Sequence, residues 1–383
     1  MLNKNLEKAG VLSVSMIVGT AAAINGNIAT IAQSFPDVPL STVEFISTIP
    51  SFFLIVSILC STAIAKRLGM KVTILLGTIL CAVSGIVPFF VNEIYSILVS
   101  RAVFGFGIGL FNSLLVTYIT QLYEGEERTQ MIGFHQAVGS LGGIIITFIS
   151  GQLLKISWNA SFLSYAVGFL SILLFGTFVR PVQLPKEDHK SMTSGSSVTK
   201  IIPWIILLFL TAICYMTYGV KISTLIKEAG YGSASTGSYV IMALCFGSIL
   251  AGTFFSRTVS VLQERILPVS YTVLALSMFL FSFSENEALT LFAGFLSGLG
   301  NASIIPFLLN KINSSDIKNK PFCSSLIYMA SNLGSALAPY GALLLTRITP
   351  FKNTAGLFLT LAILFFAGVA VTGMYSFLSK KEI

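Results

Sequence analysis

The amino-acid sequence predicts an all-α integral membrane protein with twelve transmembrane helices in two related six-helix bundles. Three observations support this fold class. Hydrophobic residues make up 54% of the 383 residues and charged residues only 10%, whereas soluble domains carry about 25% charged residues. Uncharged apolar runs of spanning length recur along the whole chain. Basic residues collect in alternate segments between those runs, as they do in multi-pass membrane proteins.

Each predicted helix is an apolar run of the roughly 20 residues that a bilayer requires. The first run follows Lys4 and Lys8 and continues to Gln33, which is too long for a cleaved signal peptide, so we expect it to be a span. The twelve expected spans are 10–33, 43–65, 71–91, 94–121, 129–154, 159–179, 201–226, 235–256, 266–284, 288–310, 321–346 and 354–378.

The distribution of lysine and arginine predicts the orientation of these spans. With the N-terminus inside, 17 basic residues fall in inner segments, five fall at the outer side, and Arg101 lies within a span. Because basic residues favour the cytoplasmic side, we expect both termini to be cytoplasmic. The net charge of +8 is then a topology signal, and we expect no nucleic-acid partner.

A hydrophilic stretch divides the chain into two halves of nearly equal length. The segment 181–200 is rich in proline, serine and charged residues, which is typical of a linker. We therefore expect an N-terminal six-helix bundle at 1–180, a cytoplasmic linker at 181–200 and a C-terminal six-helix bundle at 201–383.

Similar motifs recur in the two halves at an offset of about 190 residues. Ser61–Arg67 corresponds to Ala251–Arg257, and Gly105–Gly109 corresponds to Gly298–Ala302. Leu141 and Gly142 correspond to Leu333 and Gly334. A parallel duplication of six spans predicts a transporter whose site lies between the halves, near the middle of the membrane.

Two motifs resemble those of the major facilitator superfamily, and the resemblance extends over essentially the whole chain. The family's G-x-L-A-D-R-x-G-R-K loop is similar to TAIAKRLGMK at 62–71, which keeps Ala65, Arg67, Gly69 and Lys71. The fourth-span pattern R-x-x-x-G-x-G-x-G is matched by Arg101, Gly105, Gly107 and Gly109. The resemblance implies two bundles that move during alternating access, with Arg67, Gly69, Lys71 and the three glycines as the conformational motif.

The sequence also departs from the family patterns. Lys66 stands where the family usually has an acid that latches the outward-open state, and a lysine cannot make that latch. The antiporter signature of the fifth span is poorly matched, because Gly139, Gly142 and Gly143 have the wrong spacing and Ser140 stands where proline is expected. The glycines of the fourth span have two interpretations, tight helix packing or a sliding contact.

Arg101 is the principal candidate for a functional residue. It lies about seven residues from the outer end of its span, roughly 10 Å at the helical rise. One interpretation is that its long side chain extends back to the interface. The other is that it faces a water-filled cavity, since an intramembrane charge marks a functional site. The family resemblance associates the matching arginine with the substrate or with proton coupling.

Other polar side chains in the spans are candidates for the same cavity. Each of them has hydrogen bonding between helices as its alternative explanation, and Lys221 also lies close enough to the outer surface to reach it. The substrate-cavity residues that we predict, besides Arg101, are Asn25, Asn112, Gln136, Tyr218, Lys221, Asn301, Tyr328 and Asn332.

Acidic residues are absent from the deep parts of the predicted spans. Glu44, at the start of the second span, is a candidate for proton coupling, with a loop-end cap as its alternative, and His135 could titrate near neutral pH. Arg101 completes the coupling candidates. The positive charge of Arg101 without a deep carboxylate favours an anionic or neutral solute over a cation.

We therefore expect a secondary active permease for a small organic solute in the plasma membrane, in a bacterium the inner membrane, with protons as a candidate coupling ion. The alternative is a proton-coupled efflux antiporter for drug-like amphipaths. A channel or receptor on the same scaffold is a further alternative. We expect no enzyme, because no cluster of catalytic side chains occurs within the spans, and we expect no metal or cofactor. The family resemblance implies a monomer.

Overall fold

The structure is a computed structural model, and it describes residues 4–182, 201–233, 235–314, 320–349 and 353–379. Within these residues the regular structure is helical and contains no strand. The all-α fold class is therefore confirmed for this part of the chain. The predicted linker at 181–200 lies outside the described residues, except for its first two positions.

Seven α-helices form the described part of the first half. The first predicted span is interrupted by two 3₁₀ turns, Gly19–Ala22 and Asn25–Asn27, where glycine and asparagine are weak helix formers. The sixth span begins as the 3₁₀ segment Ala160–Ala166. The helices are α1 Lys4–Val18, α2 Ile28–Gln33, α3 Leu40–Leu68, α4 Met70–Phe90, α5 Ile94–Leu122, α6 Gly125–Leu153 and α7 Val167–Phe178.

Nine α-helices form the described part of the second half. A break at Phe254 separates the eighth span from a short helix that precedes the ninth span. The helices are α8 Ile202–Glu228, α9 Thr236–Thr253, α10 Phe255–Leu262, α11 Ile266–Ser282, α12 Glu287–Ala302, α13 Ile304–Ser314, α14 Lys320–Ala336, α15 Ala338–Ile348 and α16 Thr354–Ser379.

Local sequence explains two of the helix boundaries in the first half. Glu93 caps α5, because its carboxylate accepts hydrogen bonds from the backbone N–H groups of Tyr95 at 2.9 Å and Ser96 at 2.6 Å. Gly69 joins α3 to α4 with φ at 86°, a left-handed conformation that glycine adopts without strain. A tight turn at this point allows the second and third spans to be adjacent and antiparallel.

Eleven helical stretches of the described residues are long and apolar enough to cross a membrane. They correspond to eleven of the twelve expected spans. The expected span at 321–346 is instead divided between α14, with 17 residues, and α15, with 11 residues. The break falls at Leu337, two residues before Pro339 in the first turn of α15, because proline has no backbone N–H with which to continue the hydrogen bonding of the preceding helix.

The chain divides into two compact units. One unit is Met1–Asp188 together with Gly237–Tyr239, and the other is His189–Thr236 together with Val240–Ile383. Each unit has its own apolar core. The largest buried side chains of the first core are Phe104, Phe111, Tyr118, Phe162 and Phe175. Those of the second core include Tyr218, Phe281 and Phe358.

Glycines of the fourth span allow close packing inside the first unit. A Cβ atom on Gly105 would overlap the carbonyl oxygen of Pro50, and one on Gly107 would lie 2.7 Å from the carbonyl oxygen of Gly77. Since only glycine permits such approach, α5 contacts α3 on one face and α4 on another. Close contact of this kind is common to both interpretations of these glycines, tight packing and a sliding contact.

The same contacts recur in the second unit. Gly300 follows Gly107 by 193 residues, and a Cβ atom on it would lie 2.9 Å from the carbonyl oxygen of Ser270, which follows Gly77 by 193 residues. Similarly, a Cβ atom on Gly142 would overlap the carbonyl oxygen of Met16, and one on Gly334 that of Phe209. Contacts repeated at nearly constant offset are what a duplicated six-span unit requires.

Candidate functional site

Arg101 lies inside the first unit with 0% of its surface exposed. Its Nε donates a hydrogen bond to the carbonyl oxygen of Ile46 on α3 at 3.2 Å. Its Nη2 donates to the hydroxyl of Tyr165, in the 3₁₀ segment of the sixth span, at 3.3 Å. Arg101 on the fourth span therefore connects the second and sixth spans of one bundle.

Two aromatic rings complete the surroundings of the guanidinium. Its Cζ atom lies 4.1 Å from the ring centroid of Phe104 and 5.0 Å from that of Tyr165. Cation–π contacts of this kind contribute about 2 kcal/mol when they are shielded from water. The Tyr165 hydroxyl in turn donates to the carbonyl oxygen of Thr20 at 3.2 Å. Among the described residues, Nη1 of Arg101 has no hydrogen-bond acceptor.

The position of Arg101 differs from both sequence interpretations. Its side chain is surrounded by protein groups, so it does not extend to the membrane interface. It also presents no surface to a water-filled cavity in this structure. The partners explain the difference, because a backbone carbonyl, a hydroxyl and two ring faces replace the water that the cation would otherwise need.

Glu44 lies on the same helix as the Arg101 acceptor, two residues before Ile46. It occupies the fifth position of α3, whose N-cap is Pro39, and is 1% exposed. The carboxyl group is therefore not a solvated cap at a loop end. Ser47 and Thr48 follow it on α3 and are equally buried, so a short polar strip occupies this end of the second span.

His135 is another buried ionisable group of the first unit, 3% exposed. Its Nδ1 lies 2.8 Å from Oγ of Ser15 and so joins α6 to α1. Gly139 and Gly142, further along α6, let the two helices approach closely. The neighbouring Gln136 is exposed. The corresponding second-unit positions, Ile327 for His135 and Leu208 for Ser15, are buried and apolar.

In the second unit, Tyr218 lies in an aromatic cluster and is 0% exposed. Its ring centroid is 4.9 Å from that of Phe281, 6.1 Å from that of Phe358 and 5.7 Å from that of Tyr215. Its hydroxyl lies 3.2 Å from Oγ of Ser297. Phe358 follows Tyr165 by 193 residues, so the residue that corresponds to the tyrosine beside Arg101 belongs to this aromatic cluster.

The remaining predicted cavity residues differ in exposure. Asn25 is buried, and Asn112, Lys221, Asn301 and Asn332 are half-buried. Tyr328 is exposed, and its carbonyl oxygen accepts a hydrogen bond from Nδ2 of Asn332 at 2.9 Å.

In the loop motif at 62–71, Lys71 is bound to another helix. Nζ of Lys71 donates to the carbonyl oxygen of Gly176 at 2.8 Å, near the C-terminal end of α7, where the helix dipole favours a cation. Arg67 is exposed.

Ionic contacts at the predicted cytoplasmic end of the first unit connect three of its spans. Nζ of Lys8 lies 2.6 Å from a carboxylate oxygen of Glu127, and Nε of Arg180 lies 3.4 Å from one of Glu7. The hydrogen bond and charge of Lys8 lower the pKa of Glu127 below its ordinary 4.5. Burial, together with the Glu7 and Glu127 charges, raises the pKa of Tyr123 to about 12.

Sequence reasoning missed the residues that hold Arg101 and Tyr218 in place. Tyr165 is an ordinary aromatic residue of an apolar span and no local signal distinguishes it, whereas Phe104 follows Arg101 by three residues on one helix, a spacing that could have indicated the contact. Ser297 is one of many serines in the spans. The contacts of Tyr165 with Arg101 and of Ser297 with Tyr218 depend on the packing of distant segments, which are 64 residues apart for Arg101 and Tyr165.

Comparisons with known proteins agree with this architecture. The sequence profile of the Major Facilitator Superfamily matches residues 11–339. A protein TsgA homolog of Yersinia pestis (strain Pestoides F) is 25% identical over 331 residues, which cover 79% of each chain. A homolog from Yersinia pseudotuberculosis serotype O:1b (strain IP 31758) matches to the same extent.

Among solved structures, that of the nucleoside transporter NupG superimposes with a TM-score of 0.77, at 12% identity over 97% of this chain and 99% of that chain. That of a D-xylose-proton symporter gives a TM-score of 0.70, at 14% identity over 94% and 96%. At such identities the likeness concerns the fold. The profile match over most of the sequence goes further: the chain belongs to the major facilitator superfamily of membrane transporters.

Proposed function

We propose that the protein is a secondary transporter that moves a small organic solute across the bacterial inner membrane by alternating access. Twelve spans with both termini in the cytoplasm would enclose the solute near the middle of the membrane. The observation that carries the proposal is the family profile match over residues 11–339. The helix contacts that recur in two separately packed units support it.

For the solute, we propose a neutral or anionic organic molecule. Arg101 on α5 and Glu44 on α3 are both buried and carry opposite charges on helices that are hydrogen bonded to each other. When both are ionised, their charges offset each other and favour a neutral solute. Protonation of Glu44 would leave a net positive charge that suits an anion, which also makes Glu44 a coupling candidate.

We assign the predicted cavity residues to two groups. The residues with exposed surface are proposed to contact the solute: Asn112, Gln136, Lys221, Asn301, Tyr328 and Asn332. Asn25, Arg101 and Tyr218 are buried and are proposed to fix the helices that carry the first group. Arg101 would then influence transport through the arrangement of the second, fourth and sixth spans.

A ligand screen followed by flux measurement tests the transporter proposal. The purified protein is heated with nucleosides, pentoses, dipeptides, organic anions and amphipathic cations, since a ligand of the native state raises the melting temperature. Compounds that do so are then assayed for uptake into proteoliposomes. We expect a saturable flux of a neutral or anionic solute. A flux that rises linearly without saturation would indicate a channel, and protection by amphipathic cations alone would favour the efflux antiporter.

An imposed pH gradient tests proton coupling in the same vesicles. We expect the gradient to stimulate uptake by the native protein and not by the Glu44→Gln variant, which should retain exchange without a gradient. Uptake that is indifferent to the gradient in both proteins would contradict coupling and support facilitated diffusion.

A further inference from the structure

A groove of about 260 Å³ lies within the second unit, between α9, α10 and α11. Leu250, Phe254, Thr258 and Leu262 line one side of it at intervals of four residues, across the break at Phe254. Val269 on α11 and Gly300 on α12 also line the groove. The lining is predominantly apolar, and Phe254 is 51% and Val269 40% exposed, so the groove is open.

The first unit has a different connection at the corresponding place. There α3 continues as one helix to Leu68, and a single residue, Gly69, separates it from α4. In the second unit the helix ends at Thr253, and the segment 254–265 with α10 separates it from α11. The groove is therefore associated with a structural feature that the duplication did not preserve.

Two arginines of this connecting segment each precede a residue that lines the groove, Arg257 before Thr258 and Arg265 before Ile266. Arg257 and Arg265 are both exposed, and no acidic side chain of the described residues lies within 4.0 Å of either guanidinium. Glu264, the one acid of segment 254–265, is occupied by Nζ of Lys311 at 2.6 Å. Next to the lining residues there are therefore two positive charges that no acidic side chain of the described residues neutralises.

The connecting segment belongs to the end of the unit that the distribution of basic residues predicts to be cytoplasmic. α10 is amphipathic, and Val261 beside the groove is 75% exposed, as in helices that lie in the membrane interface. An apolar groove at the depth of the acyl chains with arginines at headgroup level matches a lipid with a negatively charged headgroup.

We propose that this groove binds one anionic phospholipid of the inner leaflet, with an acyl chain between α9 and α11 and the phosphate at Arg257 and Arg265. The preference for an anionic headgroup follows from the two exposed guanidinium groups, which have no acidic partner among the described residues, since arginine binds phosphate oxygens in a bidentate manner. The inference does not depend on the identity of the solute or on the direction of transport.

Native mass spectrometry of the purified full chain tests the proposal, with phosphatidylglycerol and phosphatidylethanolamine of identical acyl chains added in equal amounts. We expect one phosphatidylglycerol to be retained in preference to phosphatidylethanolamine by about tenfold, a difference of 1.4 kcal/mol. Glycerol phosphate, which has the headgroup charge but no acyl chain, should not compete. Equal retention of the two lipids would overturn the proposal.

Two variants and their controls locate the site. Arg257→Gln with Arg265→Gln should abolish the preference, whereas Arg347→Gln, at an exposed arginine on the opposite end of the unit, should not. Val269→Phe should fill the groove and reduce lipid retention, whereas Val261→Phe, at an exposed valine outside the groove lining, should not. The assignment would be contradicted if the arginine variant kept its preference for phosphatidylglycerol and Val269→Phe kept its lipid retention. Equal effects in the two controls would contradict it as well.

Discussion

At the residue scale, Arg101 is the feature that general packing explains least. The guanidinium is buried, donates two hydrogen bonds and contacts two rings, but its Nη1 has no acceptor among the described residues. Taking a charge out of water is costly, and even a complete buried ion pair can often be replaced by apolar side chains without loss of stability. Stability alone therefore does not explain why an arginine occupies this position.

The Tyr165 hydroxyl should contribute measurably to the stability of the first unit. Tyr165→Phe keeps the ring against Arg101 but removes the group that accepts from Arg101 and donates to Thr20. We expect the free energy of unfolding in detergent to fall by about 1–3 kcal/mol, because two buried polar groups lose their partner. Tyr95→Phe, at a tyrosine that is 70% exposed, is the control and should leave stability unchanged.

Substitution of Arg101 separates function from stability. We expect Arg101→Leu to lower the transport rate by at least about tenfold, which corresponds to roughly 1.4 kcal/mol, while the melting temperature changes by only a few degrees. Arg101→Lys retains the charge but lacks the planar fork of donors that a guanidinium provides, so it should restore transport only in part. Parallel loss of transport and of folded protein in Arg101→Leu would instead indicate a structural role.

The sequence was informative about Arg101 and uninformative about its surroundings for a physical reason. A charge in an apolar run is conspicuous because its desolvation is costly. A tyrosine in such a run is not conspicuous, so Tyr165, 64 residues away from Arg101, could not be singled out. The burial of Glu44 was missed for a related reason, since a carboxyl group near the end of a span is usually solvated.

At the element scale, close helix contacts at glycines organise both units. Gly105 on α5 and Gly298 on α12 each lie against a backbone carbonyl of a neighbouring helix. Helix association in a membrane depends on such contacts, because lipid provides no hydrophobic driving force between spans. The motif R-x-x-x-G-x-G-x-G thus predicted the contacts, although the residues they meet, such as Pro50 and Leu244, required the structure.

Alanine at these glycines should destabilise the protein. In Gly105→Ala or Gly298→Ala the added methyl group would overlap a backbone carbonyl, so one helix must move. We expect a loss of about 1–3 kcal/mol in the free energy of unfolding, the usual cost of overpacking. Gly133→Ala on α6, where nothing lies within 4 Å of the added carbon, should be neutral or stabilising by up to about 1 kcal/mol.

The Lys8–Glu127 contact should make stability depend on pH. The pKa of Glu127 is lowered in the folded protein, so its contribution is present above the ordinary value of 4.5 and is lost as the pH falls through the folded-state value. We expect the melting temperatures of the native protein and of Glu127→Gln to differ at pH 7 and to converge below pH 4.5.

The exposed residue Glu285 provides the control for this pH dependence. Glu285→Gln should follow the native protein over the whole pH range, since no ion pair of that side chain is present among the described residues. A difference between the native protein and Glu127→Gln that persists undiminished at low pH would contradict the assigned contribution of the ion pair.

At the scale of the whole molecule, the composition and the recurrence of apolar runs predicted the fold class, and the family profile established the superfamily. Eleven expected spans have counterparts in the described residues, whereas α14 and α15 replace the expected span at 321–346. Pro339 was visible in the sequence, but hydropathy averages over a single break. Hydropathy also could not predict that buried ionisable groups would be concentrated in the first unit, because it does not report packing.

The central claim is that this protein carries a solute by alternating access, and counterflow in proteoliposomes tests it most directly. Vesicles loaded with unlabelled solute from the ligand screen are diluted into a trace of labelled solute. A carrier exchanges one for the other, so we expect labelled solute to accumulate transiently above its external concentration and then to decline. Equilibration without this overshoot, at a rate proportional to concentration, would contradict the account.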